Sequence, residues 1–293
     1  MKKHYVLIAL AGVLWGMLTL VFKALDAAGI TALQAVLVRN GIAAVLLWAV
    51  FALRKPSALR LKKPSHLLYF VGTGMVSLAF FSACYYTCIA RAGVGVAALL
   101  LYTAPAFVML LSAPLFKEQI TGRKLFALAM TVLGCGLVTG ALAGGLSIAP
   151  AALLFGLGAG FGYALYTIFG KFALRDYDSL TITAYTVLFA ALGVLPFCHP
   201  GEAVSILCSS PSLLLTGAAS AVLCTIVPYL AYTKGLTTVE GGRASIIASV
   251  EPVVAAVIGF VFFGEGMPLS KLLGMALVLG AILLLNLPQK SKI

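Results

Sequence analysis

Ten apolar runs follow one another along the chain with only short connections: 5–25, 31–53, 66–90, 93–116, 123–142, 150–171, 179–198, 211–234, 242–263 and 269–287. A helix needs about 20 apolar residues to cross hydrocarbon. The runs therefore predict an all-α integral membrane protein of ten transmembrane helices, with no soluble domain between them. Composition agrees: 62% of the 293 residues are hydrophobic and 10% are charged, against about 25% charged in soluble domains. So few charges cannot build a polar shell, which argues against a soluble enzyme, a disordered chain or a nucleic-acid binder.

The formal net charge of +12 is distributed as topology charge. With the N-terminus inside, the inner segments hold Lys2, Lys3, Arg54, Lys55, Arg60, Lys62, Lys63, Lys117, Arg123, Lys124, Lys171, Arg175, Lys234, Arg243, Lys290 and Lys292. The outer loops hold only Arg91 and Lys271, and Lys23 and Arg39 fall within the membrane. This asymmetry predicts a multi-pass protein of a prokaryotic plasma membrane with both termini in the cytoplasm. The start, Met1-Lys2-Lys3, leads straight into the first run with no small-residue cleavage site, so no cleavable signal peptide is expected. Of six cysteines, Cys84, Cys88, Cys135 and Cys224 lie in apolar runs and read as small core residues. Cys198 and Cys208 flank one loop and leave a pairing open.

The chain repeats itself. Shifted by 147 residues, 95–130 lies on 242–277 with Gly95/Gly242, Ala97/Ala244, Pro105/Pro252, Phe116/Phe263, Glu118/Glu265, Lys124/Lys271, Leu125/Leu272 and Ala129/Ala276 identical. Shifted by 148, Ala11/Ala159, Gly12/Gly160, Thr19/Thr167 and Lys23/Lys171 match, and Trp15 lies on Tyr163. The expected units are 1–143 and 144–293. Five crossings each is an odd number, so the second unit enters the membrane from the opposite face. Inverted repeats of this kind are common in secondary transporters, where the substrate site lies near the midplane between the halves.

Several residues also carry a family resemblance: Trp15-Gly16 with Lys23, Tyr102-Thr-Ala-Pro105 followed by Phe116-Lys-Glu118, and Ser249-Val-Glu251-Pro252 followed by Phe263-Gly-Glu265. With these, the chain resembles the EamA family of the drug/metabolite transporter superfamily over essentially its whole length. The resemblance implies ten helices in an inverted five-plus-five repeat, and transport of small metabolites, often export of amino acids or their derivatives. One departure is Lys117 before Glu118, where the second half has Gly264 before Glu265, so the first helix end is expected to close differently.

Charge inside hydrocarbon costs about 2.5–3.5 kcal/mol at a helix centre and marks function by default. Glu251, eight residues beyond Arg243 and next to Pro252, falls near mid-membrane. It suits an amine or a proton, or else a protonated packing role. Arg39 suits a substrate carboxylate, or else an internal acid. Lys23 and Lys171 read as snorkelling to the interface, with Asp26 as a partner for Lys23. Trp15, Tyr102 and Tyr163 are candidate cavity-lining aromatics, joined by Tyr85 and Tyr229 and by Ser82 and Ser249 as small polar neighbours; belt or packing roles stand beside these readings. Pro105, Pro228 and Pro252 offer kinks for hinging, while Pro114 and Pro196 lie closer to the ends of their runs. Gly12-xxx-Gly16 and the series Gly156, Gly158, Gly160 and Gly162 permit close helix approach.

No cofactor is expected. His4, His66 and His199 stand apart, so no metal cluster is visible, and GxxxxGK[ST] is absent, so no ATP-driven pump is encoded. The expected partners are a small-molecule solute and the lipid bilayer, not nucleic acid, with the chain a monomer or homodimer. The main reading is an alternating-access carrier of a small amphipathic metabolite, an amino acid or a derivative. Its rivals are a carrier of a nucleotide sugar, lipid headgroup or organic cation, and a non-transporting membrane enzyme.

Overall fold

The computed structural model describes residues 2–54, 56–142 and 148–286. The expected unit boundary at 143/144 and the charges Lys55, Lys290 and Lys292 lie outside them. The described residues form only helices: α1 (Lys2–Gly16), α2 (Leu18–Ala27), α3 (Ala32–Arg54), α4 (Leu67–Val71), α5 (Phe80–Leu101), α6 (Ala104–Phe116), α7 (Gly122–Val138), α8 (Pro150–Ala173), α9 (Ser179–Val194), α10 (Pro200–Cys208), α11 (Pro211–Ala221), α12 (Val227–Leu236), α13 (Gly241–Ala248), α14 (Glu251–Phe263) and α15 (Leu269–Asn286). A π-helical segment, Gly72–Ala79, joins α4 to α5, and another, Val222–Ile226, joins α11 to α12.

Among the described residues, eight stretches are long and apolar enough to cross a membrane, so the chain is a multi-pass membrane protein. The expected count was ten, and the difference has two sources. Pro64–Leu101 is one helical stretch with a break inside it at Gly93 (φ 80°, ψ 167°), and Ala104–Phe116 remains as a separate helix of 13 residues. The run at 123–142 yields α7 with 17 residues, two of its first three being Arg123 and Lys124. One further helix, α10, lies between two expected spans. Pro200 opens it, where a proline costs no intrahelical hydrogen bond. Cys198 and Cys208 stand at its two ends as free thiols.

The molecule presents apolar side chains outward and holds its polar side chains among an apolar core. Phe197, Leu154, Leu215 and Phe262 are exposed, whereas Arg39, Asn40, Thr73, Ser77, Thr186 and Thr225 are buried. Hydrocarbon around the bundle accounts for this inversion, because polar groups there must find partners inside. Thr73 and Thr186 share a hydrogen bond of 2.7 Å, and Ser77 donates to the Gly162 carbonyl at 2.7 Å.

Two helices break where the sequence repeats. Between α5 and α6 the break is at Tyr102–Thr103, and between α13 and α14 at Ser249–Val250. Pro105 and Pro252 sit in the first turn after each break, and Pro228 in the first turn after the Val222–Ile226 segment. Pro105 and Pro252 thus restart helices rather than bend continuous ones, since a first turn has no use for the missing N–H, whereas Pro228 lies within one helical stretch, Pro211–Leu236.

The breaks are held by equivalent contacts. A Cβ on Gly12 would meet the Ala248 carbonyl oxygen at 2.5 Å. A Cβ on its repeat mate Gly160 would meet the Leu100 carbonyl oxygen at 2.9 Å and Thr103 Oγ1 at 2.7 Å. Each half's first long helix therefore packs on the broken helix of the other half.

The matched stretches run antiparallel. Glu118, at the end of one, accepts the backbone N–H groups of Gly241 and Gly242 at the start of the other. Lys117 (φ 56°) and Gly264 (φ 64°) are both left-handed, so these two helix ends close alike, contrary to the sequence expectation. Glu118 N–H reaches the Ser112 carbonyl at 3.4 Å and Glu265 N–H the Gly259 carbonyl at 3.0 Å.

Candidate functional site

A cavity of about 650 Å³ lies between the broken helices and α1–α3. That size suits a small metabolite, ligand sites usually spanning about 300–1,000 Å³. Eight of the nine sequence-nominated residues line it: Trp15, Arg39, Ser82, Tyr85, Tyr102, Tyr163, Tyr229 and Glu251. Ser249 does not. Its hydroxyl donates to the Ser245 carbonyl at 3.1 Å, and it lines a separate small void beside Tyr102, Pro105 and Glu251. Of the candidate hinges, Pro252 lines the cavity.

Arg39 comes from α3 and is 5% exposed. Its Nη1 lies 3.4 Å from Thr225 Oγ1, and its Nε has no hydrogen-bond partner. Glu251 is the first residue of α14, after the helix break, where the helix dipole favours a carboxylate. Tyr163 Oη donates to Glu251 Oε2 at 3.4 Å. The two side chains face one cavity and form no ion pair with each other.

The floor is aromatic. Trp15 packs on Tyr229 and Tyr232 with ring centroids 5.2 and 5.4 Å away, and Tyr166 lies 5.0 Å from Tyr229. Threonines use two of the tyrosine hydroxyls: Tyr166 bonds Thr233 at 2.6 Å and Tyr232 bonds Thr167 at 2.8 Å. Trp15 Nε1 is buried without a partner.

Beneath the floor the bundle is tied shut. Lys171 Nζ lies 2.5 Å from Glu118 Oε1, so Lys171 does not snorkel. Glu240 Oε2 bridges Lys124 at 3.1 Å and Arg243 at 2.9 Å, and Arg123 bonds the Leu284 carbonyl. Lys62 and His66 approach Asp176 at 3.9 and 3.8 Å. The opposite end forms the mouth, lined by Lys23, Asp26, Val94, Gly95, Thr139, Glu265 and Lys271. There Lys23 pairs with Glu265 at 3.0 Å and not with Asp26 as the sequence suggested. The acid 242 residues away arrives only through the fold.

Phe22, Phe81, Tyr86 and Ile89 also line the cavity and were not nominated from sequence. The spacing of Phe81, Ser82, Tyr85, Tyr86 and Ile89 on one helix at three and four residues would have flagged most of them. The Glu118–Lys171 pair was missed as well, although both residues have repeat mates. Among the described residues, no group of three or more His, Cys, Asp or Glu could hold a metal ion.

Comparison with known proteins places this architecture. A threonine/homoserine exporter, RhtA, of Escherichia coli is 30% identical over 277 residues, covering 93% of this chain and 86% of its own. An uncharacterized transporter of Archaeoglobus fulgidus is 29% identical over 219 residues, 72% of this chain and 75% of its own. A solved crystal structure superposes with a TM-score of 0.79 at 18% identity, covering 98% of this chain and 97% of that one, a likeness of fold alone. The EamA-like transporter family matches twice, at residues 2–140 and again at 150–287. The chain is a member of the EamA-like transporter family.

Proposed function

We propose that this transporter is an exporter of amino acids or amino-acid derivatives, working by alternating access in a prokaryotic plasma membrane. Ten crossings are arranged as inverted five-helix units, 1–143 and 144–293, with both termini in the cytoplasm. The excess of Lys and Arg on one end supports that orientation, which makes the mouth outward-facing.

One observation carries the substrate reading: a buried guanidinium and a carboxylate face the same aromatic cavity without pairing to each other. A zwitterion meets both demands. Arg39, with the Trp15 indole N–H, receives its carboxylate. Glu251 and the Tyr163 hydroxyl receive its ammonium. Tyr85, Tyr102, Tyr229 and Ser82 enclose the side chain, and Pro105, Pro228 and Pro252 mark the joints about which the helices swing. Neither group has an opposite partner until substrate enters, which gives selectivity against solutes carrying only one charge. A phosphorylated substrate would need more cations deep in the cavity than Arg39, since Lys23 and Lys271 line its mouth. The exporter named for threonine and homoserine, at 30% identity, points to the same substrate class.

Counterflow into proteoliposomes of purified protein, across a panel of amino acids, organic cations and sugars, tests this reading. Exchange of neutral α-amino acids is expected. Exchange confined to cations or sugars would overturn it.

A further inference from the structure

The two halves carry the same three parts of a latch, and only one copy is closed. At the basic end, Glu118 uses both carboxylate oxygens on the start of α13: Oε1 accepts Gly241 N–H at 2.8 Å and Oε2 accepts Gly242 N–H at 3.2 Å. Lys171 closes on Oε1, and the pair is largely buried, with side-chain exposures of 17% for Lys171 and 7% for Glu118. The repeat maps Glu118 to Glu265, Lys171 to Lys23, and Gly241 and Gly242 to Val94 and Gly95. All four mates line the mouth of the cavity. There Lys23 and Glu265 already pair, but at 46% and 42% exposure, and Glu265 makes no bond to Val94 or Gly95. Its second oxygen is instead 3.6 Å from Lys271.

We propose that Glu265 with Lys23 forms the outer gate, which closes by seating the Glu265 carboxylate on the Val94 and Gly95 amides, and that Glu118 releases Gly241 and Gly242 as it does so. The inference rests on the alternating-access reading and assigns its switching contacts. A helix start offers N–H groups and a positive dipole end in both places, so the same carboxylate geometry fits each.

The halves differ in a way that sets the resting state. The basic end adds a second layer, Lys124–Glu240–Arg243. Its equivalent is missing at the mouth, because Gly93 and Val96 stand where Glu240 and Arg243 would be. Lys271, the mate of Lys124, therefore sits on Glu265 and competes with the amides. The state with the mouth open and the basic end shut is favoured at rest.

Spin labels at Arg91→Cys and Met267→Cys, with Cys198→Ser and Cys208→Ser, read the distance across the mouth by double electron–electron resonance in full-length protein. Glu118→Gln is expected to raise the short-distance population by ~threefold or more. Adding Glu265→Gln should abolish that rise. Glu240→Gln, at an exposed side chain, tests the same point without breaking the buried pair and should shift the population in the same direction by less. An unchanged distribution in folded Glu118→Gln or Glu240→Gln, or a short-distance population that survives Glu265→Gln, overturns the latch. The readout needs no substrate: a latch that switches in a protein exchanging no amino acid would sink the substrate reading alone.

Discussion

Arg39 and Glu251 enter one cavity from the two halves of the chain and form no ion pair with each other. Arg39→Gln and Glu251→Gln are each expected to weaken amino-acid counterflow by roughly tenfold to a hundredfold, the worth of one charge-assisted hydrogen bond. Arg39→Lys keeps the charge and loses the planar fork, so it should recover only part of the Arg39→Gln loss. Counterflow rates against substrate concentration measure this. Wild-type affinity in both glutamine variants would remove the zwitterion account.

Close packing at the helix break makes Gly12 intolerant of a side chain. A Cβ there would lie 2.5 Å from a backbone oxygen, which cannot move aside cheaply. Gly12→Val is expected to destabilise by about 1–3 kcal/mol or more, by overpacking. Gly41, also helical, has nothing within 4 Å of its Cβ position, so Gly41→Ala should stabilise by about 0.5–1 kcal/mol. Thermal midpoints in detergent compare the two, and equal effects would show that the α1–α13 approach is looser than described.

Lys117 holds a left-handed conformation that its repeat mate, Gly264, adopts without a Cβ. A non-glycine residue there costs about 1–2 kcal/mol, partly offset by the greater freedom glycine has when unfolded. Lys117→Gly should therefore raise stability by up to about 1 kcal/mol and leave transport unchanged. A lower melting temperature in the variant would count against this account.

Glu118 predicts acid lability. Burial pushes its carboxyl up, but the Lys171 hydrogen bond and the Gly241 and Gly242 amides outweigh that and leave it below its ordinary value. A lowered folded-state pKa contributes stability above the unfolded value, and that stability is lost as pH falls through the lowered one. Glu265 is lowered too, chiefly by its hydrogen bond from Lys23, but its exposure to solvent screens the effect. Melting temperature should fall on acidification below about pH 4.3. Glu118→Gln should flatten that fall, and an identical acid slope in the variant would place the lability elsewhere.

Much of this molecule is written locally. Run length and hydropathy dictate membrane-crossing helices, because a span is a matter of apolar length. The repeat announced equivalent breaks at Pro105 and Pro252, because a proline acts on its own turn. Eight of nine nominated residues line the cavity because a polar or aromatic side chain in an apolar run has few other places to go.

Pairing was not legible. Lys23 had Asp26 three residues away and took Glu265, while Lys171 took Glu118 instead of the interface. Such choices depend on which helix ends the bundle brings together, and spacing along one helix carries no record of that. The same holds for the state of the cavity: both halves encode the parts of a gate, and only the packing of one half against the other decides which gate is shut.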